Sequence, residues 1–168
     1  MKKLKTRIKL CEKLMNESPK YNSTRQCELD IGYGKQIYTV IFGYTFLIIT
    51  KEDFSPFAFG SLSVSESVPR ILKTIPQGNS VLINNSLLRQ IIKDAPKGAT
   101  NPAPVRIGGK KFNAKLIGQA FDIAGAWDTY IWYTDPKRYN MSLITFDKGM
   151  IIMCPMGGDG GIDVEEKE

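Results

Sequence analysis

The chain has 168 residues, of which 42% are hydrophobic and 24% are charged. This length and composition predict a soluble globular domain that can bury a substantial core. The sequence has no histidine and only three scattered cysteines, Cys11, Cys27 and Cys154, which argues against a zinc site and removes the commonest general base of enzymes. Such a cysteine set suits a cytoplasmic location. The longest apolar stretch, residues 37–50, is too short to span a bilayer, so no membrane partner is expected.

Charge is unevenly distributed along the chain, whose net charge is +6. Residues 1–25 hold eight Lys or Arg against two Glu, whereas residues 157–168 are rich in glycine and acidic side chains. A basic body favours an anionic partner such as nucleic acid, although solvated surface lysines would give the same composition. Because residues 157–168 have no hydrophobic periodicity, we expect a flexible acidic tail there.

The first segment, residues 2–15, fits two kinds of secondary structure. A helix would separate an apolar face from a basic face, and a strand would alternate apolar and basic residues. The apolar face of the helix would consist of Leu4, Ile8, Cys11 and Met15. The basic face would consist of Lys2, Lys5, Lys9 and Lys13. The run Glu12–Met15 and the absence of β-branched runs favour the helix.

Three strands are predicted next, at Gln26–Ile31, Gln36–Phe42 and Thr45–Thr50, and the last two form a hairpin. Ser67 and Pro69 then predict the start of a short helix.

A strand at Val81–Ile83 leads through Asn84 and Asn85 into a predicted helix, Ser86–Ala95, which Pro96 ends. Arg89 and Lys93 lie four residues apart on it and form one basic face. At an offset of 29 residues this unit matches a later helix, and either a local duplication or chance similarity of amphipathic helices explains the match. The matched pairs are Asn84 with Asn113, Leu87 with Leu116, Gln90 with Gln119, and Ala95 with Ala124.

Residues 110–156 have the most regular spacing of apolar residues in the chain. Apolar residues at spacings of three and four predict a helix over Ala114–Ala124, capped by Asn113 and ended by Gly125. Strands are predicted at Trp127–Thr134, Asn140–Phe146 and Met150–Cys154, the last two joined by a tight turn at 147–149.

This order of one helix, three strands and a terminal Ile152-Met153-Cys154-Pro155-Met156 resembles the closing half-domain of bacterial sliding clamps, the beta subunit of DNA polymerase III. The resemblance implies an α+β fold, with helices packed on one face of an antiparallel sheet. Residues 1–156 would form a single clamp-like domain, with halves at 1–78 and 79–156. It also implies a non-catalytic processivity or scaffold factor for DNA replication. Because clamp rings contain six such domains, this chain would either form a homo-oligomer or act as a stand-alone adaptor.

The resemblance implies two candidate sites. The first would bind the backbone of duplex DNA without reading sequence. Its residues are Lys2, Lys5, Lys9, Lys13, Arg89, Lys93 and Lys115. The second would be a hydrophobic groove for peptide motifs of replication proteins. Its residues are Ile152, Cys154, Pro155 and Met156. No catalytic residues, metal or cofactor are expected, because nothing assembles a nucleophile and base, and the glycines at 157–161 lack the Lys-Ser/Thr of a phosphate loop.

A different interpretation concerns the aromatic residues of the strand at 127–134. Trp127, Tyr130, Trp132 and Tyr133 could stack on the bases of a single-stranded nucleic acid or contact a protein partner. Alternation along a strand sends them to both faces, so at least one set must pack in the core. The alternative function is therefore a single-stranded nucleic-acid-binding or protein-interaction module.

Overall fold

The computed structural model describes residues 2–54, 67–73, 80–98, 102–127, 130–133 and 141–166. The four helices in these ranges are α1 (Leu4–Glu17), α2 (Ser67–Lys73), α3 (Asn85–Asp94) and α4 (Ala114–Ala124). The strands of the first part are β1 (Ser23–Asp30), β2 (Lys35–Phe42), β3 (Phe46–Thr50) and β4 (Ser80–Val81). Those of the second part are β5 (Pro104–Ile107), β6 (Lys110–Asn113), β7 (Tyr130–Tyr133), β8 (Ser142–Phe146), β9 (Gly149–Met153) and β10 (Ile162–Asp163).

Seven strands form one sheet in the order β1-β2-β3-β9-β8-β7-β4, and each pairs with its neighbours in antiparallel fashion. A smaller sheet has the order β10-β5-β6, with β10 parallel to β5. The predicted α+β class with an antiparallel sheet is therefore confirmed.

The large sheet is built from two similar units that meet at its centre. In each unit a helix precedes three antiparallel strands: α1 with β1, β2 and β3, and α4 with β7, β8 and β9. The innermost strands, β3 and β9, pair over their full length with Ile48 opposite Ile151. One unit lies within residues 1–78 and the other within 79–156. Helix α3 matches α4 at the 29-residue offset and has an asparagine cap like it. In the described part of the chain, however, α3 is followed by β5 and β6 and then by α4, so the likeness is confined to the helix.

Alternation along the strands places apolar side chains on both faces of the large sheet. Ile48, Ile144 and Ile151 belong to a core shared with α1, α3 and α4. Leu47 and Ile152 belong to a second core on the other face. Three of the described helices thus cover one face, as expected, while α2 packs Val68 and Ile71 against the other.

Helix α1 resolves the ambiguity of residues 2–15 in favour of a helix. Cys11, Leu14 and Met15 face the core, while Lys5 and Lys9 are exposed. The amphipathic pattern that predicts a helix is therefore the correct interpretation, and the alternating pattern that predicts a strand is not. The tight turn expected at 147–149 is also present, and it joins β8 to β9.

The prediction of a flexible tail is wrong for its described residues. Ile162–Asp163 pair with β5, and Glu165 bridges to Ile83. Val164 is fully buried, and its carbonyl accepts a hydrogen bond from the Asn84 N–H at 2.8 Å. One buried valine and backbone pairing on both sides hold this segment, although its acidic, glycine-rich composition is typical of disorder.

Arg7 is a buried cation that joins α1 to α4. Its side chain is only 3% exposed and forms a bidentate ion pair with Glu52, with contacts of 2.6 and 3.0 Å. Its Nε donates to the Ile123 carbonyl at 2.8 Å and its Nη2 donates to the Ala124 carbonyl at 2.6 Å. The guanidinium therefore satisfies carbonyls at the end of α4 that the helix itself leaves without partners.

Candidate nucleic-acid interface

A groove of about 470 Å³ runs over α4 between α1 and α3. Helix α4 contacts both neighbours and forms the floor. Gly118 lets α3 approach closely, because a Cβ at this position would lie 2.8 Å from the Ile92 Cδ1 atom. The Ile92 side chain therefore packs directly on the α4 backbone at Gly118.

Basic residues from all three helical segments line this groove. They are Lys2, Lys13, Arg89, Lys93 and Lys115. Among the described residues, Glu17 and Asp122 are the acidic ones that line it. The groove therefore has an excess of positive charge, and it brings together five of the seven residues predicted to contact DNA. Lys5 and Lys9 are exposed on α1 but do not line it.

Two of the groove cations form ion pairs with the acidic residues. Lys2 lies 3.2 Å from Asp122, and Lys13 lies 3.9 Å from Glu17. The Lys13 and Glu17 side chains are 75% and 53% exposed, so this pair contributes little and leaves the lysine able to change partners. Asp122 is more constrained, because it also accepts a hydrogen bond from the Trp127 indole at 2.9 Å.

Arg89 is held against the face of Trp127, with 3.9 Å between the guanidinium carbon and the ring centroid. Phe121 contacts the same indole edge-on, at a centroid distance of 5.2 Å. Stacking of this kind orients a guanidinium while leaving its edge N–H groups directed away from the ring. Trp127 thus acts as a support for a cation at the groove.

Lys115 reaches from the first turn of α4 to the loop after α3. Its ammonium donates to the carbonyl oxygens of Pro96 and Gly98. Asn113 caps this turn by accepting a hydrogen bond from the Lys115 N–H at 3.0 Å. The charge of Lys115 is therefore fixed at one end of the groove.

The four residues predicted to form a peptide groove lie along β9 and its continuation. Ile152 is buried in a strand flanked by β3 and β8, whereas Cys154 is exposed. The backbone N–H of Cys154 donates a hydrogen bond to the Thr45 carbonyl, and the backbone N–H of Met156 donates one to the Lys111 carbonyl. Pro155 and Met156 are half-buried. Although Cys154 is exposed as a residue, desolvation by neighbouring atoms raises the pKa of its thiol.

The aromatic residues of the alternative interpretation are only partly described. Trp127 lines the groove, whereas the side chains of Tyr130, Trp132 and Tyr133 lie outside the described part of the structure. The backbone of β7 is paired on both sides, with β8 and with β4.

Sequence reasoning missed the apolar lining of the groove. Leu10 and Leu14 on α1 and Ile92 on α3 lie between the basic residues. The four-residue spacing of Leu10 and Leu14 was the available signal, but the apolar face predicted for this helix did not include them.

Among the described residues, no group of three or more Cys, Asp or Glu side chains is arranged to hold a metal ion. None of the described helices is long and apolar enough to cross a membrane. No family model, curated protein or solved structure matches the chain.

Proposed function

We propose that this protein is a non-catalytic factor that binds the phosphate backbone of duplex DNA through the groove between α1 and α3. The observation that carries the proposal is the convergence of five basic side chains, from three separate helical segments, on one surface. Residues that are far apart in sequence create this concentration of charge, so composition alone does not account for it.

The mechanism is electrostatic. Cations placed along helices neutralise phosphates and release their counterions, which gives binding that is independent of sequence and falls steeply with salt. Lys13 and Lys93 are exposed point charges on opposite walls, while Arg89 is oriented by Trp127. Such a set of contacts positions a duplex without reading its bases.

The arrangement of the fold supports a role in holding other proteins on DNA. Helices α1 and α4 lie side by side on one face of a continuous sheet, and each is followed by three antiparallel strands. On this arrangement we extend the proposal to a cytoplasmic processivity or scaffold factor that resembles a sliding-clamp domain. Its partners would be peptide motifs of replication proteins and further copies of the chain.

Charge reversal within the groove tests this proposal. We expect Lys13→Glu with Lys93→Glu to weaken binding to a fluorescent duplex of about 20 base pairs by about 10-fold or more, and to reduce the slope of log K against log salt by about 2. Fluorescence anisotropy over a salt series measures both quantities. The matched control is Lys35→Glu with Lys148→Glu, which changes the net charge equally at exposed sites outside the groove.

Equal losses in the two double variants would contradict the proposal, because binding would then follow net charge alone. The pair Lys5→Glu with Lys9→Glu asks whether the outer side of α1 also contributes, and a smaller loss is expected there. Single-stranded DNA of the same length tests the alternative function, since base stacking would favour it over the duplex.

A further inference from the structure

The groove contains apolar surface in addition to its basic residues. Leu10 on α1 and Ile92 on α3 are half-buried and line the groove, as does Trp127, whose indole also supports Arg89. A phosphate backbone gains nothing from apolar surface, whereas apolar side chains that displace water there gain about 25 cal/mol per Å². A ligand that uses the whole groove therefore has both an apolar side and negative charge.

The shape of the groove restricts the conformation of such a ligand. It follows α1 from Lys2 to Glu17, and the 14 residues of that helix extend about 21 Å. Helices form both walls and the floor, so none of the described residues that line the groove belongs to a sheet edge that could pair with an extended peptide. A helical ligand satisfies its own backbone groups and needs only side-chain contacts.

The charges of the groove select the flanks of the ligand. Five basic residues face two acidic ones, and the basic residues stand on both walls. Acidic side chains on either side of an apolar stripe would meet Lys13 on one wall and Lys93 on the other. A basic amphipathic helix would be repelled by the same residues.

We propose that the groove binds an acidic amphipathic helix of a partner protein, with its apolar stripe on Leu10, Ile92 and Trp127 and its carboxylates beside the groove lysines. The inference rests on the proposed function only in that both ligands use the same cations. Bound helix and bound DNA therefore exclude each other, and a partner of this kind controls access of DNA to the protein.

The test uses a fluorescent synthetic helix of about 16 residues, with Leu at i, i+4, i+7 and i+11, Glu on both flanks of this stripe and Ala elsewhere. One comparator replaces each Glu with Lys, and another keeps the composition but distributes the Leu residues around the helix. We expect the acidic amphipathic peptide to bind about 10-fold more tightly than either comparator, and unlabelled duplex to displace it. Equal binding of the three peptides would overturn the inference.

A substitution in the groove separates this inference from DNA binding. We expect Leu10→Ser to weaken peptide binding by about 10-fold while leaving the affinity for duplex unchanged. Leu82→Ser is the matched control, because Leu82 is exposed and does not line the groove. Circular dichroism verifies that both variants are folded. Unchanged peptide binding by Leu10→Ser overturns the inference, whereas peptide binding without any duplex binding overturns only the proposed function.

Discussion

The two helix-and-three-strand units of the large sheet share an arrangement but differ in what their helices do. Helix α4 buries most of its residues, including Ile117, Phe121 and Ile123, between α1, α3 and the sheet. Helix α1 buries few and carries most of its charge at the surface. One unit thus supplies the helix that forms the centre of the core, and the other supplies the helix that presents cations to solvent.

The ends of the two helices differ in a related way. Helix α4 begins with an asparagine cap and ends at Gly125 in the left-handed conformation. Helix α1 begins after Lys3 with no side-chain cap. Arg7 connects the two, because it lies on α1 and binds the terminal carbonyls of α4. A helix that relies on tertiary contacts can lack a cap, so contacts such as those of Arg7 should matter most for α1.

Removal of Arg7 is expected to have the largest effect on stability. Arg7→Ala leaves the partly buried Glu52 carboxylate unpaired and the carbonyls of Ile123 and Ala124 without their donors. Breaking a buried ion pair in this way costs about 3–5 kcal/mol of unfolding free energy. Urea denaturation followed by circular dichroism measures the loss. Lys9→Ala, on the exposed side of the same helix, is the control and should change the unfolding free energy by less than about 0.5 kcal/mol.

A double-mutant cycle with Glu52→Ala shows whether the ion pair itself is responsible. We expect the double variant to lose much less unfolding free energy than the two single variants lose together, because it leaves no buried charge without a partner. Additive losses would mean that Arg7 acts through the α4 carbonyls alone. A loss no larger than that of Lys9→Ala would show that the link between the two units does not stabilise the fold.

Removal of the α4 cap should have a smaller effect. Asn113→Ala deletes the hydrogen bond from the Lys115 N–H, and loss of such a cap costs about 1 kcal/mol. Asn113→Ser keeps a side-chain acceptor and should retain most of the stability, as judged by the urea midpoint. If Asn113→Ser and Asn113→Ala lose equally, the Asn113 side chain stabilises the structure by some other contact.

Local signals in the sequence predicted the elements well but not their long-range arrangement. Helix α4 follows from its apolar spacing with Asn113 and Gly125 at its ends, and the hairpins follow from their turn residues. The pairing of β3 with β9 brings together residues about a hundred positions apart. Both strands are apolar along most of their length, so no local pattern specifies which strand pairs with which. Without that pairing, the proximity of α1 to α4, and hence the groove, could not be derived from the sequence.

Arg7 and Val164 also have roles that could not be predicted from the local sequence. Arg7 is one cation in a run of cations from Lys2 to Lys13, and only its contact with the end of α4 distinguishes it. Val164 is a single apolar residue in an acidic segment, and its burial depends on a gap between Asn84 and Arg106 that the rest of the fold creates. The five basic residues of the groove, in contrast, were among those predicted from the sequence, because basic residues on an amphipathic helix usually face solvent.

The missing cap of α1 allows a change that should stabilise the protein. Lys3 already has the extended backbone of a cap residue, with φ −63° and ψ 151°, and its carbonyl accepts hydrogen bonds from Thr6 and Arg7. Lys3→Asp would add a side-chain acceptor for the free N–H groups of the first turn and a negative charge near the positive end of the helix. We expect a gain of about 0.5–1 kcal/mol, which corresponds to a melting temperature higher by about 1–4 °C. Lys3→Ser supplies the acceptor without the negative charge, so the difference between the two variants measures the contribution of the helix dipole. Because Lys3 does not line the groove, the gain should come without the loss of duplex affinity expected for Lys13→Glu with Lys93→Glu. If neither variant raises the melting temperature, α1 is already held at its first turn by its packing on α4, and the contrast between a capped and an uncapped helix has no energetic consequence.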